Sequence, residues 1–353
     1  MAERRDPALG QLISVRFKEF IREPEAIFWT FIFPVILAVG LGIAFRNRPP
    51  EVQVVGVVAP AGRAAAADSL AASLATSKQL RVARLPDDSA ARTALRTGRV
   101  ALVAVPGDAG AVEYRFDDTR PDARLARLLA DDAIQRGAGR ADPVRVGERQ
   151  VRERGSRYID FLIPGLLGMN IMGGGMWGVG FAIVDARRKN LLKRLVATPM
   201  RKSDYLLSFI ISRLAFLVVE VVFLLGMAAL LFDVPVRGSL LQLGGIALVA
   251  SLAFTALGLL TVSRAKTIEA ASGLMNVVML PQWVLSGVFF SSANFPQAAQ
   301  PFIKALPLTA TIDALRETMI QGLGWSAVAP ELAVIAAWLV GSVLLSLRLF
   351  RWR

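Results

Sequence analysis

Arg213 and Glu220 are the two ionisable residues inside an otherwise apolar run from Leu206 to Phe232. Seven positions apart, they fall on one face of a helix, two turns from each other. Charges at membrane depth face a bundle interior, where they pair with one another or line a route for a substrate or a proton. Arg213 lies near one end of the run, where its long stem can snorkel to an interface, while Glu220 lies nearer the middle. Both readings, a structural ion pair and a translocation path, stand open on the sequence. Asn170 and Asn276 are further polar groups within apolar blocks, either as path residues alongside Glu220 and Arg213 or, like Gln282, as hydrogen-bonding glue between helices. Asp160 and Asp313 are expected near a membrane boundary in solvated positions.

The chain has no His and no Cys. That excludes thiolate and imidazole nucleophiles, disulfides, His/Cys metal sites and every Ser-His-Asp arrangement. An intramembrane enzyme would need clustered catalytic groups at depth, and paired acids are missing there as well. Gly173, Gly175 and Gly178 satisfy G-x-G-x-x-G, but no strand precedes them and they sit within an apolar block, so the nucleotide-loop reading fails in context. Gly174 and Gly178 form a G-x-x-x-G that permits close helix approach. No G-x-x-x-x-G-K-[ST] occurs, so the chain has no P-loop of its own.

These residues sit on a chain of 353 residues that is 54% hydrophobic, with mean hydropathy +0.49. Crossing a bilayer takes about 20 apolar residues per helix. Six blocks qualify: Phe28 to Phe45, Phe161 to Val184, Leu206 to Phe232, Leu240 to Val262, Gly273 to Phe290 and Val328 to Leu347. The expected fold is therefore a polytopic α-helical membrane protein of six transmembrane helices. Between the fifth and sixth blocks, residues 291–327 are apolar but broken by Pro296, Pro301 and Pro307, which predicts a re-entrant or interfacial segment.

Lys and Arg in the short connections set the orientation. Seventeen of them fall before the first block, after the second, after the fourth and after the sixth, against Arg237, Lys304 and Arg316 on the other side. Both termini are then cytoplasmic, and no cleavable signal peptide is expected. This distribution accounts for much of the net charge of +13 without nucleic acid. Residues 46–157 fall outside the cell and read as a folded α/β extracytoplasmic domain. Its strands are Val52 to Val58, Leu80 to Leu85, Val100 to Val105 and Val112 to Phe116. Its helices are Ala64 to Ala75, Ser89 to Arg96 (capped by Asp87 or Asp88) and Pro121 to Arg136, the last with Leu125, Leu128 and Leu129 on one face.

Two cytoplasmic segments carry amphipathic patterns. Within residues 1–27, Leu9, Leu12, Ile13, Phe20 and Ile21 recur at helical spacing, giving an interfacial helix that anchors to membrane lipid or offers a platform to a partner. Within residues 185–204, Leu191, Leu192, Leu195 and Val196 form an apolar stripe beside Lys189, Lys193 and Arg194, and Pro199 ends the helix.

At these residues the chain resembles a family. Arg22-Glu23-Pro24 leading into Phe28-Trp29-Thr30-Phe31-Ile32-Phe33-Pro34 looks like the start of the first span in type-2 ABC-transporter permeases. Leu191-Leu192-Lys193-Arg194-Leu195-Val196-Ala197-Thr198-Pro199 is similar to that family's LKRLLATP loop. Leu285-Ser286-Gly287-Val288-Phe289-Phe290, Phe295-Pro296, Leu306-Pro307-Leu308-Thr309 and Asp313-Ala314-Leu315-Arg316 resemble its fifth-span exit. A large outer domain between the first two spans matches the bacterial exporter branch. The resemblance implies a permease that is not itself catalytic, paired with a second permease copy (homodimer or close paralogue) and with cytoplasmic ABC ATPase subunits. No cofactor would be bound by this chain; ATP and Mg would act through the partner ATPase. The family's ATPase-coupling loop maps onto Arg187, Arg188, Leu191, Leu192, Lys193, Arg194, Leu195 and Pro199, with the amphipathic helix about Leu9 to Arg22 beside it. Where the family often has acidic residues and a Gly before LKRL, this chain has Asp185-Ala186-Arg187-Arg188-Lys189-Asn190. Such a permease would export an amphipathic drug, lipid or lipid-linked molecule by alternating access. The competing reading is a membrane-anchored receptor whose extracytoplasmic domain binds a ligand.

Overall fold

The computed structural model describes residues 8–45, 52–60, 62–144, 147, 155–189, 202–265 and 267–349. It divides into two compact units, Met1–Arg46 with Arg152–Arg353, and Asn47–Val151.

The first unit is a helical bundle. Helix α1 (Ala8–Arg22) leads into the first span, which runs from α2 (Pro24–Ile27) through a π turn (Phe28–Ile32) to α3 (Phe33–Ala44). The later spans lie on α7 (Tyr158–Arg188), α8 (Lys202–Phe232), α9 (Leu240–Thr261), α10 (Ile268–Leu285) and α13 (Ala329–Leu349). Six of the described helices are thus long and apolar enough to cross a membrane. α7 and α9 are the most buried of them, packing Met172, Met176 and Phe254 at the bundle centre. Their approach is close because Gly175 faces the Phe254–Thr255 backbone and Gly258 faces the backbone of Met176. Gly178, by contrast, meets nothing within 4 Å, so the small-residue pair expected at Gly174 and Gly178 is replaced by Gly175 and Gly258.

Proline explains the π turn. Pro34 has no N–H to offer the Thr30 carbonyl four residues back, and the helix widens before it, with the Phe33 N–H reaching the Phe28 carbonyl. The fifth span begins and ends about five residues earlier than the apolar block suggests. Thr267 caps its start by accepting from the Ala270 N–H at 3.2 Å, and the chain turns out at Gly287, whose φ of 78° suits glycine. Beyond it, residues 291–327 hold α11 (Gln300–Lys304) and α12 (Pro307–Arg316), and eight of the ten α12 residues are buried.

The second unit is a four-stranded sheet in the order β2-β1-β3-β4, with β1 Gln53–Val58, β2 Leu80–Leu85, β3 Leu102–Pro106 and β4 Val112–Arg115. β1 pairs parallel with β2 (Val55 opposite Val82) and with β3 (Val55 opposite Leu102), and β4 closes antiparallel (Ala104 opposite Tyr114). Alternate residues feed two cores. Val55, Val57, Leu102 and Ala104 pack under α4 (Ala64–Ala75) and α6 (Pro121–Gly137), and Val58, Val103 and Val105 pack against α5 (Asp88–Arg96). Asp87 is the N-cap of α5, accepting from the Ala90 N–H at 2.7 Å. The expected leucine face of α6 is corrected: Ala123, Ala126, Ala130 and Ala133 are buried, while Leu125 and Leu128 are exposed. Both sets have helical spacing. The alanine face lets α6 and α4 lie side by side on a short sheet, where leucines would hold them off.

Candidate functional site

Arg213 and Glu220 form an ion pair on α8. Arg213 Nη1 donates to Glu220 Oε1 at 2.7 Å, and the side chains are 8% and 3% exposed. A second guanidinium nitrogen, Nη2, lies 3.3 Å from the Ile171 carbonyl of α7. The fit depends on Gly174, where a β-carbon would lie 2.6 Å from Arg213 Nη1. The glycine-rich stretch of α7 therefore makes room for a guanidinium and for α9. The second carboxylate oxygen, Glu220 Oε2, is buried without a hydrogen-bond partner among the described residues.

Asn170 lies elsewhere on α7, donating Nδ2 to the Thr30 carbonyl at 3.1 Å. That carbonyl is the one freed by Pro34, so Asn170 repairs the proline break in the first span. Asn276 is exposed on α10, on a side with Val277 and Leu280. Of the four expected path residues, only Arg213 and Glu220 are brought together.

α1 packs along α8 through aromatic rings. Phe17 and Phe20 stand 4.6 and 4.3 Å from the Phe216 ring, and Phe20 also meets Phe31 edge-on. Leu12, Ile13 and Phe20 are half-buried on this face, and Phe17, unremarked in the sequence pattern, joins them. Ile21 points outward at 66% exposure.

At the C-terminus of α7, Arg187 Nη1 donates to the carbonyls of Val262 at 3.1 Å and Ala265 at 3.3 Å. A cation on these last carbonyls satisfies orphan acceptors and complements the α9 dipole. Arg188 is exposed, and Lys189 pairs with Asp185 at 2.7 Å. Leu191, Leu192, Lys193, Arg194, Leu195 and Pro199 lie outside the described residues.

The opposite end of the bundle holds polar residues that sequence reasoning missed. Asp160, expected to be solvated, is fully buried and accepts from the Gly155 and Arg157 backbone N–H groups and from the Arg157 guanidinium at 2.7 Å. A carboxylate in the first turn of α7 also complements that helix's positive end. Arg316 donates to the carbonyls of Gly287 at 3.0 Å and Phe161 at 3.3 Å, and its guanidinium carbon lies 3.8 Å from the Phe161 ring centre. Gln242 Nε2 bridges Thr318 Oγ1 and the Leu323 carbonyl, both at 3.0 Å. The signal for Arg316 was its place in the Asp313-Ala314-Leu315-Arg316 motif. For Asp160 it was the neighbouring Arg157.

In the α/β unit the perturbed groups are paired surface residues. Arg115 hydrogen-bonds Asp88 and, with Arg92, holds its carboxyl below the usual range. Arg120 does the same to Asp122, and Arg140 to Asp132. Burial, reinforced by the Asp131 charge, pushes the Tyr114 hydroxyl up to about 12. Among the described residues, no group of three or more acidic side chains could hold a metal ion.

Six apolar helices around a buried charge pair define a multi-pass helical membrane protein. Residues 24–348 match the ABC-2 family transporter protein, and the chain belongs to that family, the type-2 ABC permeases. It is similar to ABC transporter G family member 20 of Dictyostelium discoideum, 26% identical over 189 residues, covering 52% of this chain and 26% of that one. It is also similar to the inner membrane transport permease YhhJ of Escherichia coli, 26% identical over 176 residues, covering 49% of this chain and 46% of that one. The chain thus spans less than half the length of either relative.

Proposed function

We propose that the chain is the permease subunit of an ATP-driven exporter that moves an amphipathic molecule outward across a bacterial inner membrane. The observation that carries this reading is the family match over residues 24–348, which takes in all six apolar helices. In this reading ATP hydrolysis belongs to a separate cytoplasmic ABC ATPase, which the lack of a G-x-x-x-x-G-K-[ST] in the sequence supports. In this reading both termini are cytoplasmic, a second copy or close paralogue completes the pathway, and residues 47–151 face outward.

In this reading the coupling surface is α1 together with the segment after Arg188. α1 is fixed to α8 by Phe17, Phe20 and Phe216, and Arg187 ties the end of α7 to the end of α9. A push on α1 or on the segment after Arg188 is then delivered to three spans at once. Leu191, Leu192 and Leu195 supply the apolar stripe toward the ATPase, flanked by Arg188, Lys193 and Arg194, with Pro199 ending it. The test is purification of the full chain co-expressed with an ABC ATPase encoded beside it. ATP hydrolysis is expected to co-purify with the wild type and to be lost when Leu191, Leu192 and Leu195 are changed to Asp. ATPase recovery equal to wild type in that variant sinks the coupling assignment, and a wild-type chain that never recovers an ATPase sinks the permease reading.

A further inference from the structure

Outside the first and last turns of the six spans, Asn276 is the only exposed charged, amide or hydroxyl side chain among the described residues. It sits halfway along α10 and has no hydrogen-bond partner among them. Other outward faces are hydrocarbon, with Val218, Val222 and Leu230 on α8 and Val340, Val343 and Leu347 on α13. Lipid chains suit those faces but offer nothing to a carboxamide, whose oxygen accepts and whose N–H groups donate.

A second polar group lies beside it. Pro281, inside α10 and also exposed, has no N–H for the Val277 carbonyl four residues back. The outward face thus carries an amide that lacks an acceptor and a carbonyl that lacks its helical donor. They do not serve each other, because helical side chains lean toward the N-terminus while carbonyls point toward the C-terminus. Around them Ala270, Gly273, Val277, Leu280 and Val284 are exposed at 3-4-3-4 spacing, the pattern of a coiled-coil seam. With Ala270, Val277 and Val284 at a and Gly273 and Leu280 at d, Asn276 falls at g and Pro281 at e. Those flanking positions meet across a parallel pair. A β-carbon on Gly273 would meet nothing within 4 Å, so the backbone there is open to a close neighbour. A two-fold axis along the membrane normal sets two α10 helices parallel and makes every contact twice. Each amide then comes against the proline-freed carbonyl of the other copy. The same chemistry operates inside the chain, where Asn170 donates to the Thr30 carbonyl four residues before Pro34.

We infer that a second copy of this chain packs along this face of α10, with Asn276 of each copy donating to the Val277 carbonyl of the other. The inference rests on the permease reading, which calls for a second copy, and names the seam. The chain has no Cys, so single cysteines report on it cleanly. The experiment uses the full chain with its ABC ATPase in phosphatidylcholine vesicles. On oxidation, Val277→Cys and Leu280→Cys are expected to give disulfide-linked dimers, and Val222→Cys on α8 is not. Asn276→Leu is expected to weaken association of fluorophore-labelled copies about tenfold on lipid dilution, the factor for two modest interhelical hydrogen bonds. Pro281→Ala restores the N–H and is expected to weaken association equally, and the double variant no further, because both act through one contact. Crosslinking of Val222→Cys as fast as Val277→Cys overturns the inference, as does association unchanged in Asn276→Leu. So does a membrane-impermeant maleimide that labels Asn276→Cys where Val277→Cys gives no dimer, which makes the face a water-filled path. An ATPase-bound complex whose copies crosslink only through other spans overturns the seam and keeps the permease reading. Dimers through Val277→Cys in a chain that recruits no ATPase support the seam and fail the permease reading.

Discussion

Changing Glu220 to Ala leaves Arg213 in the bundle with a single long contact, 3.3 Å to the Ile171 carbonyl. Both side chains are almost wholly buried and 2.7 Å apart. Removing one partner of such a pair costs about 3–5 kcal/mol because the survivor stays desolvated without its countercharge. Arg213 lies nearer one end of its helix and recovers part of this by snorkelling, which puts the expectation at about 3 kcal/mol. Replacing both residues by Met removes the burial penalty together with the attraction, and stability should return to within about 1 kcal/mol of wild type. Gly174 supplies an independent handle. A β-carbon there would lie 2.6 Å from Nη1 and 2.7 Å from the guanidinium carbon, so Gly174→Ala evicts Arg213 from its seat. Its cost should approach that of Glu220→Ala, and should fall below about 1 kcal/mol once position 213 is Met, since the two changes act through one contact. The assay is reversible unfolding of the full chain in bicelles by a denaturing detergent. A Glu220→Ala variant within about 0.5 kcal/mol of wild type, or a Gly174→Ala cost that ignores residue 213, would refute the reasoning. The Met/Met chain then separates the two roles of Glu220. Transport that survives makes the pair a structural device, and transport lost at restored stability places it in the path.

The remaining expectations concern single contacts. Asn170→Leu leaves the Thr30 carbonyl without its partner at 3.1 Å and should cost about 1 kcal/mol in the same unfolding assay. Pro34→Ala should erase that cost, because an N–H at position 34 reaches the same carbonyl; a cost that persists in the double variant would mean Asn170 acts otherwise. Tyr114, raised to about 12, favours its neutral form in the folded α/β unit. Its contribution is full below the unfolded value of about 10 and is lost as pH rises through about 12. Thermal unfolding of Tyr114→Phe should therefore lack part of the alkaline decline, and superimposable profiles would contradict this. Asp88, Asp122 and Asp132, all held low, contribute in the opposite direction. Their share is present above about 4 and fades as pH falls.

What could be read from the sequence was periodic. Six apolar blocks and the β-branched runs at Val52 and Val100 announce themselves because burial must repeat along an element. The ends of elements are set by single groups, and there the reading slipped. Thr267 and Gly287 moved the fifth span, since a cap and a left-handed glycine outweigh a few apolar residues. On α6 two faces had helical spacing, and choosing alanine over leucine depended on the room beside α4. At the candidate site, the seven-residue spacing of Arg213 and Glu220 gave their pairing outright. Asp160 and Arg316 were hidden for the opposite reason. Their partners are backbone atoms and a residue outside the span, so no pairing of charges inside apolar blocks could reveal them.

Several polar side chains in the bundle act on backbone carbonyls. Asn170 serves Thr30, Arg187 serves Val262 and Ala265, Arg316 serves Gly287 and Phe161, Gln242 serves Leu323, and the Trp338 indole serves Ala305 at 2.8 Å. Apart from that of Phe161, each carbonyl lies beside a proline, a helix end or an irregular turn, where the helical ladder is interrupted and a membrane interior offers no water. A polar residue within an apolar span is on these grounds first a repair to the ladder, and a path assignment needs a polar atom left over once the repair is made. Glu220 meets that condition. One carboxylate oxygen binds Arg213 and the other is buried with no partner among the described residues, although no proline or helix end on α8 calls for a carboxylate there. An acceptor kept free at depth is costly in a static fold and suits a bundle whose helices shift, because a second alignment of α7 against α8 can bring a donor to Oε2. Glu220→Gln keeps the shape and one acceptor but weakens the hold on Arg213, so it should shift the balance between the two alignments more than it lowers folding stability. A spin-label distance between α7 and α8, measured with and without ATP in the complex, reads that balance directly; identical distance distributions for the wild-type chain and the Glu220→Gln variant would leave the free oxygen without a role in the motion.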